Sequence, residues 1–239
     1  MSVRSTLTIC KKELQMYFYS PTAYVAFAFY FLLLSFFFSM DFLFGSRMVD
    51  ARMMLGNMMM VLLFITPILT MRLVAEEFRQ GTDELLLTSP ITSTQIIFGK
   101  FLAGVVVMLL LVVGSLIYPL IMSSYGPLDQ PILWMSYLGI FLLGSAMIAV
   151  GLFASSLSAH QMLSGIIAFA LLLLLWTIDW LGSGLYGKAQ EFVGLFSMPG
   201  RTADFNKGIL NLSDVTFYII LILLFLLLSI QVLERKRWK

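Results

Sequence analysis

Charged residues, cysteine and histidine are scarce in this sequence. Lys, Arg, Asp and Glu make up 12% of its 239 residues, which is about half of their share in soluble domains. Hydrophobic residues make up 60%, and the mean hydropathy is +0.95. A soluble domain and a disordered chain are excluded, because neither exposes so much apolar surface. An outer-membrane β-barrel is disfavoured, since its strands alternate and its lumen is polar. The composition predicts an all-α membrane protein.

The missing motifs exclude several kinds of site. Cys10 is the single cysteine, so an intramolecular disulfide and a cysteine metal cluster are impossible. No stretch reads Gly-x-x-x-x-Gly-Lys-Ser/Thr, the loop that cradles nucleotide phosphates, so we expect no ATP hydrolysis and no cofactor in this chain. No basic patch is interleaved with aromatic residues, and nucleic acid is not an expected partner.

Six stretches have the roughly 20 apolar residues that a helix needs to cross a membrane. The predicted spans are residues 22–44, 53–74, 101–123, 132–156, 161–180 and 215–233. Ten of the 15 Lys and Arg residues lie on the side of the two termini and five on the other. This imbalance predicts that both termini lie in the cytoplasm. His160 and Asp179 then lie on opposite sides of the bilayer, which counts against an intramembrane enzyme and predicts no catalytic or metal site.

Capping residues precede three of the spans. Ser20 before Pro21 is typical of an N-cap followed by proline in the first turn. Thr92 and Gln95 have the spacing of a capping box. Ser213 and Asp214 place a cap and a carboxylate at the start of the sixth span.

Residues 1–20 differ in kind from the spans. Val3, Leu7, Cys10 and Leu14 recur at helical spacing, and charged residues lie between them. This pattern predicts an amphipathic helix in the membrane interface. Two interpretations stay open: a plain anchor, or an elbow that also contacts a cytosolic partner.

The loop at residues 76–90 is the most informative cytoplasmic segment. It reads Glu-Glu-Phe-Arg-Gln-Gly-Thr-Asp-Glu-Leu-Leu-Leu-Thr-Ser-Pro. Gly81 ends a charged extension of the second span, and Thr82 begins a short helix with Asp83 and Glu84 in its first turn. Ser89 and Pro90 end that helix. Its leucines require a covering surface, which is either the membrane or another protein.

This loop resembles the cytoplasmic loop of ABC-2 type transporter permeases. Lys12-Glu13-Leu14 before the first span and the run at 151–157 fit the same family. Residues 205–215, Tyr218 and the Glu-Arg-Lys-Arg-Trp tail are similar to its gliding-motility branch. The resemblance implies six spans per subunit and pairing with a second copy or a related permease. It also implies a separate ATPase that binds the ATP and contacts the loop as a coupling helix. The residues implied to carry that contact are Glu76, Glu77, Phe78, Arg79, Gly81, Thr82, Asp83, Glu84, Leu85, Leu86, Leu87, Thr88, Ser89 and Pro90.

Residues 181–213 are too apolar for a simple loop. They resemble the short re-entrant or interfacial helices that precede the last span in this family. An outer gate, a docking site for an extracytoplasmic partner and a packed cap remain alternatives.

Two spans carry further signals. Thr66, Pro67 and Thr70 predict a kink in the second span that serves as a hinge, with the hydroxyls satisfying freed carbonyls. Small residues predict close helix packing in the fourth span, either internal or across a dimer. The pairs at four-residue spacing are Ser145 with Ala149 and Gly151 with Ser155.

Methionines cluster between positions 48 and 60, where thioethers suit either Cu(I) or irregular packing. Because no Cys or His accompanies them, packing is favoured.

The predicted function is a permease subunit that couples ATP hydrolysis by a separate ATPase to export, or to work on an extracytoplasmic partner. A membrane subunit with a large extracytoplasmic domain is a further expected partner, as in gliding motility. A non-transporting scaffold of a motility or secretion assembly and an uncoupled channel are the alternatives.

Overall fold

The computed structural model describes residues 3–40, 51–81, 92–183 and 197–237. These residues form helices joined by turns, with no strand among them. In chain order the helices are α1 Val3–Tyr19, α2 Pro21–Phe38, α3 Ala51–Thr70, α4 Ala75–Gln80, α5 Ser93–Gly114, α6 Ile117–Ser123, α7 Gln130–Leu157, α8 Gln161–Ser183, α9 Met198–Phe205 and α10 Leu212–Arg237.

Six described helices are long and apolar enough to cross a membrane, which confirms the predicted multi-pass architecture. The six spans are Pro21–Phe38, Met54–Gln80, Ser93–Ser123, Gln130–Leu157, Gln161–Ile178 and Leu212–Lys236. The third span begins well before the predicted residue 101, because its polar first turns, including Lys100, are helical and buried. The second span likewise continues past residue 74 into α4.

The spans form an inner group and an outer group. In an 18-residue apolar window of each span, 72%, 61% and 78% of the residues are buried in the second, third and fourth spans. The corresponding shares in the first, fifth and sixth spans are 22%, 17% and 17%. A core of Leu62, Met108, Ile140 and other apolar side chains fills the inner group, and Tyr30 of the first span packs into it. The outer spans expose apolar side chains, as lipid-facing helices do.

The predicted helix starts hold in two cases and shift in the third. Thr92 Oγ1 accepts from the Gln95 backbone N–H at 3.4 Å, and Gln95 Oε1 accepts from the Thr92 N–H at 3.2 Å, so the capping box is present. Pro21 is the first residue of α2, although the Ser20 side chain makes no capping bond. The α10 helix begins at Leu212, so Ser213 lies inside it, and Asn211 Oδ1 accepts the Ser213 N–H at 3.4 Å instead.

A short helix precedes the sixth span, at the end of the bundle away from α1. The Tyr218 hydroxyl of α10 donates to the Met198 carbonyl of α9 at 2.8 Å, and Arg201 pairs with Asp214 at 2.8 Å. Residues 184–196 of the predicted extracytoplasmic segment lie outside the described residues.

Three described methionines of the cluster pack inside the chain, whereas Met60 is exposed. Met54, Met58 and Met59 are buried, and the sulfur atoms of the last two accept hydrogen bonds from Ser115 at 3.6 Å and Thr202 at 3.4 Å. Within the part of the chain that the structure describes, no group of three His, Cys, Asp or Glu residues could hold a metal ion.

Candidate functional site

The second span is interrupted where α3 ends at Thr70 and α4 begins at Ala75. Pro67 lies inside α3 three residues before this break. The Thr66 hydroxyl donates to the Leu62 carbonyl at 2.7 Å, and the Thr70 hydroxyl donates to the Thr66 carbonyl at 2.8 Å. Neither acceptor is the carbonyl that a proline at position 67 frees, which belongs to residue 63. The hydroxyls therefore support the helix turns around Pro67, and a hinge at Thr66, Pro67 and Thr70 stays a prediction.

Ser155 of the fourth span fills the gap in the second. Its hydroxyl oxygen accepts the backbone N–H groups of Val74 at 3.0 Å and Ala75 at 3.1 Å, and it donates to the Met71 carbonyl at 3.2 Å. Helix ends leave such groups without partners inside the helix. One buried serine thus satisfies backbone groups on both sides of the break and ties α4 to α7.

The close packing predicted for the fourth span occurs within the chain at one pair. A Cβ atom added to Gly151 would lie 2.1 Å from Thr70 Oγ1, so only glycine lets these helices approach so closely. Ser155 lies one turn further along the same face. Ala149 is fully buried in the chain, and the Ser145 hydroxyl donates to the Phe141 carbonyl of its own helix at 2.8 Å.

A buried charge cluster joins three helices beside this break. Lys100 of α5 lies 2.7 Å from Glu13 Oε1 of α1 and 3.0 Å from Glu77 Oε1 of α4, measured from its Nζ. The same ammonium group donates to the Leu73 carbonyl in the break. Lys100 is 1% exposed, Glu13 4% and Glu77 8%. We call Glu13, Glu77 and Lys100 the charge cluster, and the end of the bundle that contains it the terminal face.

The cluster holds two buried carboxylates against one buried ammonium group, and the exposed Lys12 lies 3.9 Å from Glu77 Oε1 at its edge. An ammonium group has three N–H donors, and here they serve both carboxylates and a backbone carbonyl, so every donor has a partner. Burying such charges is expensive unless they are paired in good geometry. The arrangement therefore makes α1, α4 and the start of α5 depend on one another for their positions.

The remaining described residues of the predicted coupling segment lie around the cluster. Glu76 is 5% exposed, and its Oε1 accepts from Arg79 at 2.8 Å and from Gln80 at 2.6 Å. Lys236 of the last span lies over the Phe78 ring at 3.3 Å. Gly81 ends α4 in the left-handed conformation at φ 65°, as predicted for the glycine after the extension. Thr82, Asp83, Glu84, Leu85, Leu86, Leu87, Thr88, Ser89 and Pro90 lie outside the described residues.

Helix α1 contacts the bundle through only part of its predicted apolar face. Ile9, Cys10 and Glu13 are buried, whereas Leu7 and Phe18 are exposed. The helix crosses α5 at Gly99, where an added Cβ would lie 2.8 Å from Ile9 Cβ. The exposed apolar side chains lie beside the buried strip, so only one part of the predicted apolar face turns inward.

The single cysteine provides a probe of this contact. Burial, followed by the negative charge of Glu13, raises the pKa of the Cys10 thiol, and the thiolate is the form that reacts. We expect a maleimide to label Cys10 in the folded protein at least about tenfold more slowly than in denaturing detergent. Gly99→Leu, which forces α1 away from α5, should raise the rate in the folded protein. The measurement is a time course of labelling by intact-protein mass spectrometry.

Gly56→Leu is the matched control, because an added Cβ at Gly56 meets no atom of the described residues within 4 Å. Its labelling rate should equal that of the unmodified chain. Equal rates for Gly99→Leu and the control would show that α1 does not pack on α5 at Gly99.

The sequence alone predicts Glu77 as a site residue and includes Glu13 in the family resemblance, whereas Lys100 reads only as a flanking charge. A lysine eight residues after the capping threonine, inside a continuous helix, was the available signal, because such a residue needs a partner when buried.

Comparison with known proteins agrees with this architecture. The model of the family described as ABC-2 family transporter protein matches residues 7–238, which is nearly the whole chain. None of the curated proteins matches it.

Proposed function

The chain belongs to the ABC-2 family of transporter proteins, and on that premise we propose that it couples ATP hydrolysis by a separate ATPase subunit to movement of its own spans. Permeases of this family are membrane components without an ATPase site of their own. The proposed setting is a bacterial inner membrane, with both termini and residues 82–90 in the cytoplasm. A second copy or a related permease would complete the transporter by covering part of the exposed outer spans.

The Glu77–Lys100 ion pair is the observation that carries the coupling proposal. Residues 82–90 leave from the end of α4 and return at the start of α5, and this pair joins those two helices at 3.0 Å. Glu13 adds α1 to the same buried group. A force on the loop therefore acts on a single braced unit, which is suited to a rigid-body motion.

We divide the predicted contact residues into two roles. Glu76 and Glu77 are buried and bonded within the chain, so we assign them to holding the loop in place. Direct contact with the ATPase falls to the exposed Arg79 and to residues 82–90, with Leu86 at the centre of their leucine run.

The test is ATP turnover by the assembled complex. Leu86→Ala should reduce the ATPase stimulation about tenfold at limiting permease, which corresponds to about 1.4 kcal/mol of binding free energy. Membrane insertion should be unchanged. Leu210→Ala, an exposed leucine near the opposite end of the bundle, is the control and should leave turnover unaffected. Unchanged turnover for Leu86→Ala would refute the coupling assignment.

A measurement of substrate flux distinguishes export from conformational work on an extracytoplasmic partner. A reconstituted complex that hydrolyses ATP without moving an added amphipathic substrate favours work on a partner, as the likeness to the gliding-motility branch suggests. The scaffold interpretation predicts no substrate flux, with the ATPase supplying conformational work to the assembly that the spans anchor. Flux without an ATPase would indicate an uncoupled channel.

A further inference from the structure

A groove opens on the terminal face beside the charge cluster, between α1, the start of α2 and the end of the second span. It holds about 490 Å³ of empty space. Its walls combine the apolar side chains of Met16, Ala23 and Ile68 with the charged side chains of Arg72 and Glu76.

Glu76, one of the residues that line the groove, has a carboxylate oxygen without a donor among the described residues. Glu76 Oε2 is buried and has no hydrogen-bond partner among the described residues, whereas Oε1 of the same carboxylate accepts from Arg79 and Gln80. Buried polar atoms nearly always have a partner, and a buried carboxylate oxygen without one is costly. An N–H donor from a bound molecule would satisfy it.

A donor faces the same groove. Arg72 donates from Nη1 to the hydroxyls of Ser20 and Thr22, and both hydroxyls line the groove. A guanidinium group carries five N–H donors, and these two bonds leave the other nitrogens available. Arginine with neighbouring hydroxyls is a common arrangement for binding a phosphate group.

We propose that this groove binds a glycerophospholipid whose headgroup ends in a primary ammonium, of the phosphatidylethanolamine type. Its ammonium donates to Glu76 Oε2, and its phosphate accepts from Arg72. A simple anion would leave Glu76 Oε2 without a donor, and a simple cation would be repelled by the positive charge of Arg72. A quaternary ammonium headgroup has no N–H to donate.

The position of the groove favours a membrane lipid over a soluble headgroup. It lies where α1 turns into the first span at Ser20 and Pro21, and the ends of spans lie near the lipid headgroups in a bilayer. Met16 and Ile68 are 42% and 36% exposed, so acyl chains have an apolar wall to follow. Arg72 lies near the end of its span, as arginines at the interface do. The bound lipid would join α1 to the first two spans.

Lipid binding to the purified full-length chain tests the proposal. Native mass spectrometry compares phosphatidylethanolamine, phosphatidylcholine and phosphatidylglycerol with identical acyl chains. We expect the ethanolamine lipid to bind about tenfold more tightly than the other two, as the loss of one hydrogen bond to a charged group predicts. Equal binding of the ethanolamine and choline lipids would overturn the proposal without any variant.

Two variants and one control assign the contacts. Glu76→Gln should remove the preference for ethanolamine over choline, and Arg72→Gln should weaken binding of all three lipids. Arg4→Gln changes an exposed arginine of α1 outside the groove and should alter neither. A preference that survives Glu76→Gln in a folded variant would also refute the assignment.

Soluble phosphoethanolamine distinguishes the two sources of the headgroup. At concentrations equal to those of the lipid it should not compete, because it lacks the acyl chains. Competition as effective as that of the lipid would show that the groove takes a soluble ligand and that the lipid assignment is wrong.

Discussion

Lys100→Met is expected to destabilise the protein by about 3–5 kcal/mol, the usual effect of removing one partner from a buried ion pair. Methionine fills a similar volume but leaves Glu13 and Glu77 buried together without their shared cation. The variant should insert into the membrane and unfold at a lower temperature or denaturant concentration. The measurement is reversible unfolding of the purified chain in detergent, followed by tryptophan fluorescence.

The charges that each variant leaves in the cluster predict how strongly that variant is destabilised relative to the others. Glu13→Gln and Glu77→Gln each leave one carboxylate with one ammonium group, so both should be milder than Lys100→Met. Lys207→Met removes an exposed lysine paired with Asp204 at 3.1 Å and should change stability by no more than about 1 kcal/mol. Equal losses for Lys100→Met and Lys207→Met would contradict the buried cluster.

The triple variant Glu13→Gln, Glu77→Gln, Lys100→Met separates folding from coupling. Removing all three charges often costs little or even stabilises, because no ion remains buried. The triple variant should therefore recover most of the stability that Lys100→Met loses. If the ion pairs also brace the loop, ATPase stimulation should stay low in the stable triple variant.

Hydropathy is sufficient to predict the six spans, because the main requirements of a bilayer are that a span is long, apolar and helical. It could not place the ends of the second and third spans. Lysine and glutamate count as span ends on a hydropathy scale, yet Lys100 and Glu77 continue their helices because they satisfy each other. The third partner, Glu13, is 87 positions from Lys100, and no local pattern links residues so far apart.

Short sequence patterns predict the features that depend only on neighbouring residues. The Thr92 capping box and the Gly81 helix end depend on residues within a few positions of each other, and both occur as predicted. The role of Ser155 depends on a backbone break in another helix. Its spacing from Gly151 indicated close packing, but only the fold shows that the partner is the break after Thr70.

Gly151→Ala is expected to destabilise the protein by about 1–3 kcal/mol, as overpacking in a close-packed interior does. The new Cβ would lie 2.1 Å from Thr70 Oγ1 and 2.7 Å from Thr70 Cβ, so the second and fourth spans must move apart. That movement also stretches the hydrogen bonds from Val74 and Ala75 to Ser155, one turn away. Unfolding in detergent measures the loss, and faster amide exchange at Val74 and Ala75 would locate it at the break.

Two other glycines in helices provide matched comparisons for this variant. An added Cβ at Gly56 meets no atom within 4 Å in the part of the chain that the structure describes, so Gly56→Ala should be neutral or stabilise by about 0.5–1 kcal/mol through helix propensity. At Gly165 the nearest atoms, those of Met71, would be 3.5 Å away, an ordinary contact that alanine should tolerate. Because all three changes add one methyl group to a helix, a difference between them reports the distance to the neighbouring span. If Gly151→Ala were as harmless as Gly56→Ala, the fourth span would not touch the break in the second, and Ser155 could not brace it.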